Sequence, residues 1–159
     1  MTHPRMLGSI KEGDEMDATA TGRSGSDLDE SLRISDAILS AWNEQDVEKT
    51  VNCYTEDCLY LDPNTRGHVE GRDALRRYLT RLFEKWTMHW TLREFHSFGA
   101  EKGGAFLWHA SLTPVAGGPT AEIDGMDFVQ IEDGLLKRNE VYFDRMSLFA
   151  ASRVEADAR

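Results

Sequence analysis

The chain has 159 residues, with 18 Lys and Arg against 28 Asp and Glu for a formal charge of −10, and 40% of its residues are hydrophobic. This is material for one domain around one core, with no apolar run near the roughly 20 residues of a bilayer span and no basic-then-apolar signal pattern at the N-terminus. For want of a span and a signal pattern, no membrane partner and a cytoplasmic location are expected, and the acidic balance argues against a phosphate-tracking surface, so nucleic acid is not expected as a partner.

In chain order, residues 1–26 carry no helical or strand period and are expected to form a disordered tail; residues 150–159 read the same way, leaving 27–149 as the folded domain. Ser26 or Asp27 can cap a first helix, in which Leu28, Leu32, Ile38, Leu39 and Trp42 form one apolar stripe ending near Asn43. Asp46 caps a short second helix through Val47, Val51 and Tyr54, closed at Glu56-Asp57, and Cys58–Asp62 reads as a strand broken by Pro63-Asn64. A third helix carries the stripe Leu75, Tyr78, Leu79, Leu82, Phe83 and Trp86. Beyond it the period changes to two: Met88, Trp90 and Leu92 alternate with polar residues, as do Phe106, Trp108, Ala110 and Leu112 with their neighbours. Gly99–Gly104 and Ala116–Pro119 supply turns, and Asp133-Gly134 predicts a hairpin between Ile123–Ile131 and Leu135–Phe143. Helices first and an antiparallel meander last predict an α+β domain with helices packed on one face of a curved sheet. Cys53 and Cys58 have neither a second pair nor a histidine at zinc spacing, so both are expected as reduced thiols with no metal.

Three stretches carry a resemblance: Trp42-Asn43-Glu44-Gln45-Asp46 with Tyr54-Thr55-Glu56-Asp57; Asp62-Pro63 with Gly71-Arg72-Asp73-Ala74-Leu75; and Asp133-Gly134 leading to Tyr142-Phe143-Asp144. With the element order, they resemble the nuclear transport factor 2-like (cystatin-like) superfamily, and within it the SnoaL-like polyketide cyclases and ketosteroid isomerases. The resemblance implies a cone: a curved, antiparallel or mixed sheet wrapped around three N-terminal helices, with a deep apolar pocket. It also implies a homodimer through the sheet, consistent with a face bearing Phe106, Trp108 and Leu112 that something must cover.

The same resemblance places Asp62 where the isomerases hold their proton-moving carboxylate, with Tyr60 on the same strand face. A carboxylate walled by apolar groups is a more competent base; the alternative is an Asp that caps the Asp-Pro-Asn turn. Asp124 falls on the acid that donates to a developing enolate oxygen, with Met126 and Phe128 as its apolar surround and Asp127 on the opposite face. His109 matches the strand histidine that SnoaL-like cyclases pair with an aspartate, although it shares a face with Leu107 and Ser111 opposite Trp108, which would turn it away from the pocket. Ile38 stands where the isomerases carry their main oxyanion tyrosine, while Tyr54 matches the second tyrosine of that network. Trp42, Trp90, Trp108 and Phe143 complete the expected pocket, with ordinary core as their alternative role.

The resulting expectation is a cofactor-independent acid/base enzyme, an isomerase, cyclase or related lyase, acting on a small apolar carbonyl compound. Asp62 would be the base, Asp124 the enolate-stabilising acid and His109 a second acid/base. The alternative is a non-catalytic module of the same fold that binds a small apolar molecule or only dimerises.

Overall fold

The computed structural model describes residues 25–98 and 102–153. The expected tail up to residue 24, and residues 99–101 of the expected Gly99–Gly104 turn, lie outside them. In order the elements are α1 (Gly25–Glu44), α2 (Val47–Val51), β1 (Tyr54–Leu61), β2 (Val69–Glu70), α3 (Arg72–Lys85), β3 (Trp86–Ser97), β4 (Gly103–Pro114), β5 (Ala121–Glu132), β6 (Leu135–Phe143) and α4 (Arg145–Arg153). They form a mixed α+β domain whose six strands run β2-β1-β6-β5-β4-β3, with β1 parallel to β6 and every other neighbouring pair antiparallel. Among the described residues no helix is long and apolar enough to cross a membrane.

The expected elements recur, but Trp86, expected to end the third helix, opens β3, and there are three further differences. First, β1 begins at Tyr54, so Glu56 and Asp57 lie inside a strand and do not close α2. A register shift between Tyr54 and Leu59 lets Tyr54, Cys58 and Tyr60 all be buried, and Arg72 fixes the strand's start by donating from Nε to the Tyr54 carbonyl at 2.7 Å. Second, the short β2 pairs with the end of β1. Third, α4 enters the expected C-terminal tail, anchored by the buried Leu148.

The edge strand β3 is held by two amide side chains from the end of α1 and the turn after it. Asn43 accepts from the Trp90 backbone N–H at 2.7 Å and donates to the Trp90 carbonyl at 3.0 Å. Gln45 accepts from Met88 N–H at 3.1 Å and donates to the Trp86 carbonyl at 2.6 Å. Backbone groups that an edge strand would leave open are thus satisfied from within the chain, and α1 is fixed across the concave face. Phe106, Trp108 and Leu112 are buried in this core; the chain's own helices cover that face, so these residues create no need for a partner.

Candidate active site

Between α1 and the inner face of the sheet lies a cavity of about 50 Å³. Ile38 and Trp42 line it from the helix, and Tyr60, Trp90, Trp108 and Asp127 from the strands. The aromatic walls interlock: Trp42 meets Trp90 edge-on at 5.7 Å between centroids, and Trp90 meets Trp108 edge-on at 4.6 Å.

Asp127 is the carboxyl in this wall. Along β5 the residues Ile123, Gly125, Asp127, Val129 and Ile131 share the inward face, because alternate strand residues point the same way. Trp108 stands opposite Gly125 on β4, and its indole Nε1 donates to Asp127 Oδ1 at 2.7 Å. Burial among apolar groups raises the Asp127 pKa from its ordinary 3.8 to about 7; bonds from Trp108 and Asn139 oppose the rise, and the negative charge of Asp62 adds to it. Asn139, 1% exposed, also donates from Nδ2 to the Tyr54 hydroxyl at 3.1 Å. Tyr54 is fully buried and is not among the lining residues; burial pushes its phenol well up.

Asp62 is buried but is not among the residues lining the cavity. Its Oδ2 accepts from the Tyr60 hydroxyl at 2.9 Å and from the Tyr78 hydroxyl, and its Oδ1 accepts from the backbone N–H of Asn64 at 2.6 Å and of Thr65 at 3.1 Å. Asp62 thus caps the turn after β1 and joins a tyrosine network, and Tyr60 is its link to the cavity.

The remaining expected site residues lie elsewhere. Asp124, His109, Met126 and Phe128 are on the outer face of the sheet, which corrects their assignment to the pocket. Asp124 is three residues from Asp127, and an odd separation on a strand reverses the face. His109 and Asp124 are direct cross-strand neighbours and do pair, Nδ1 to Oδ1 at 3.1 Å, while His109 Nε2 meets Glu122 at 2.9 Å and Arg93 donates to Asp124 at 3.1 Å. The pair is open to solvent, with the side chains 45% and 65% exposed. Asp124 and then Glu122 raise the His109 pKa, and His109 in turn lowers that of Asp124. Phe128 packs on Phe98 and under Arg138, and Met126 is exposed. Phe143 touches Trp108 edge-on at 6.2 Å without being a lining residue. Asp127, set aside by the sequence reading, is the functional candidate that reading missed. Among the described residues no three His, Cys, Asp or Glu side chains are grouped to hold a metal ion.

A mixed sheet closed by helices over an aromatic cavity is the nuclear transport factor 2-like fold, which similar solved structures share. Within that class the chain belongs to the SnoaL-like domain family, whose model matches residues 36–139. Similar solved structures include TerC co-crystallised with polyporic acid, at 19% identity and a TM-score of 0.67 over 77% of this chain and 97% of that one. The epoxide hydrolase/cyclase-like enzyme SalBIII, with a role in pyran ring formation in the polyether salinomycin, is 20% identical with a TM-score of 0.67 over 76% of this chain and 95% of its own. A ketosteroid isomerase-like protein from Erwinia carotovora atroseptica is 18% identical with a TM-score of 0.61 over 76% and 98%. At these identities the likeness concerns the fold. No curated protein matches the chain.

Proposed function

We propose that the protein is a cofactor-independent acid/base enzyme that moves a proton next to the carbonyl of a small apolar compound, with Asp127 as the acting group. One observation carries this reading: a carboxyl in the wall of an aromatic cavity, held by an indole N–H at 2.7 Å, where burial pushes it up to about 7. Near neutral pH such a group is divided between its two forms and can either take or return a proton. The Tyr60–Asp62–Tyr78 network holds one wall of the cavity. The family includes cyclases and isomerases, which suits this chemistry.

The test is exchange of the α-protons of 2-tetralone for deuterium in D2O, followed by NMR. Wild type should accelerate exchange over buffer, and Asp127→Asn should lose about 10²-fold or more of that rate. Exchange no faster than buffer, or unchanged in the variant, leaves the second reading, a binding module without chemistry. That reading is favoured by Ile38, which puts an alkyl group in the cavity wall where the isomerases carry a phenol.

A homodimer through the outer sheet face is proposed on different residues from those first expected. Leu107, Met126 and Tyr142 form one cross-strand row there, with Met126 37% and Tyr142 49% exposed. Sedimentation velocity should find a dimer that Met126→Lys converts to monomer; a monomeric wild type removes the proposal.

A further inference from the structure

We infer that the pocket between α3 and α4 is a second ligand site, separate from the central cavity, which takes a small aryl carboxylate. The pocket holds about 380 Å³. Leu82, Trp86 and Leu148 give it an apolar wall, and its charged lining residues, Arg81, Lys85 and Arg145, are all cationic. None of its lining residues lines the central cavity.

Three cations at one pocket stand out in a chain of net charge −10. Elsewhere the basic residues meet acids: Lys49, Arg72, Arg76, Arg93, Lys137 and Arg138 each pair with a carboxylate. Among the described residues, Arg81, Lys85 and Arg145 have no such partner. Local structure does not account for their placement. Arg77, Arg81 and Lys85 follow at four-residue steps along α3, where like charges are neighbours and repel. The helix dipole favours Lys85 in the last turn of α3, but it opposes Arg145, which opens α4 at the positive end. The Arg145 guanidinium lies over the ring of Phe149, another lining residue, 4.6 Å from its centre. Glu84 and Asp144, next to these cations in sequence, do not line the pocket, and Asp144 accepts from the Met146 backbone N–H at 2.9 Å.

A bound carboxylate would offset the repulsion among the cations, and a guanidinium fork matches its two oxygens. The apolar wall with Trp86 and Phe149 would take a flat ring. Apolar walls with a few convergent charged groups are the usual form of a small-molecule site.

Calorimetric titration of the full chain at pH 7 and low salt, with 2-naphthoate, 2-naphthamide and acetate as probes, tests the site. Naphthoate should bind about tenfold or more tighter than the neutral amide, and acetate, with the charge but no ring, too weakly to measure. Arg81→Gln and Arg145→Gln, both at exposed positions, should each weaken naphthoate about threefold to tenfold and leave the amide within about twofold. Asp127→Asn should leave naphthoate within about twofold. Equal affinity for naphthoate and the amide, no naphthoate binding, or indifference to both arginine variants overturns the inference. Acetate binding as tightly as naphthoate overturns the aryl class, since it shows an anion patch only. Tighter naphthoate binding in Asp127→Asn overturns the separate site, because it places the anion beside the central carboxyl. Deuterium exchange of 2-tetralone, which tests the central cavity, can succeed or fail without altering these outcomes.

Discussion

One residue, Gly125, decides whether the indole can reach the carboxyl. A Cβ built there would lie 2.4 Å from Trp108 Cη2, 2.5 Å from Cζ2 and 2.7 Å from the Tyr142 carbonyl oxygen. No side chain fits in that space, so the indole lies over bare backbone and its N–H reaches two residues along to Asp127. Gly125→Ala should displace Trp108 and destabilise the fold by about 1–3 kcal/mol, as overpacking does. Losing the indole bond, one of two that hold the carboxyl down, should also raise the Asp127 pKa further. Urea unfolding and carboxyl NMR check the two effects, and an unchanged Asp127 titration would show the bond to be dispensable. The inward register of β5 was legible in principle. Ile123, Val129 and Ile131 mark one parity as strongly apolar, and Asp127 shares it. Met126 and Phe128 suggested the other parity, because two large side chains on the outer face look like core when only one strand is read.

At the scale of elements, the parts set by local pattern were readable and those set by distant partners were not. The α3 stripe and the period-two runs of β3 and β4 each state their buried face within one segment. Tyr54 reads as the end of a helical stripe because its parallel pairing with Leu136, far along the chain, leaves no local trace. Likewise β2 is two residues that exist only against β1. The motif around Trp42 has a physical meaning beyond resemblance: Asn43 and Gln45 bond the backbone of β3, so the segment most useful for recognising the fold is one that holds sheet to helix. The Asp62 turn follows the capping reading, accepting from Asn64 and Thr65, and the same carboxyl joins the tyrosines without lining the cavity where a base was expected. Its spacing to Pro63 could not separate the two, since a capping Asp and a pocket Asp use the same dipeptide.

For the whole molecule, the half-buried Asp127 carboxyl makes stability depend on pH in an unusual direction. A group whose pKa is higher folded than unfolded binds protons more tightly in the fold, so its burden on stability is absent below the unfolded value and complete above the folded one. For Asp127 that window runs from 3.8 to about 7; at about 1.4 kcal/mol per pKa unit its full extent is on the order of 4 kcal/mol. Glu140 acts oppositely: bonds from Tyr142, Arg138 and His68 lower it from 4.5 to about 2, so the stability it adds is present above 4.5 and lost as pH falls toward 2. His109, raised by Asp124 and Glu122, loses its contribution as pH climbs through its folded value, and the net charge of −10 works the same way. Thermal melts from pH 3 to 8 should therefore peak near pH 4–5 and decline toward pH 8. Glu140→Gln should flatten the acid limb. Asp127→Asn should flatten the decline between pH 5 and 7 and make the variant more stable than wild type at pH 8, because it removes a charge the cavity does not solvate. The slope due to His109 and net repulsion should survive in that variant. A variant with the wild-type slope over the same interval would mean that Asp127 is ionised at ordinary pH in the fold, and the neutral-pH acid/base assignment would fall with it.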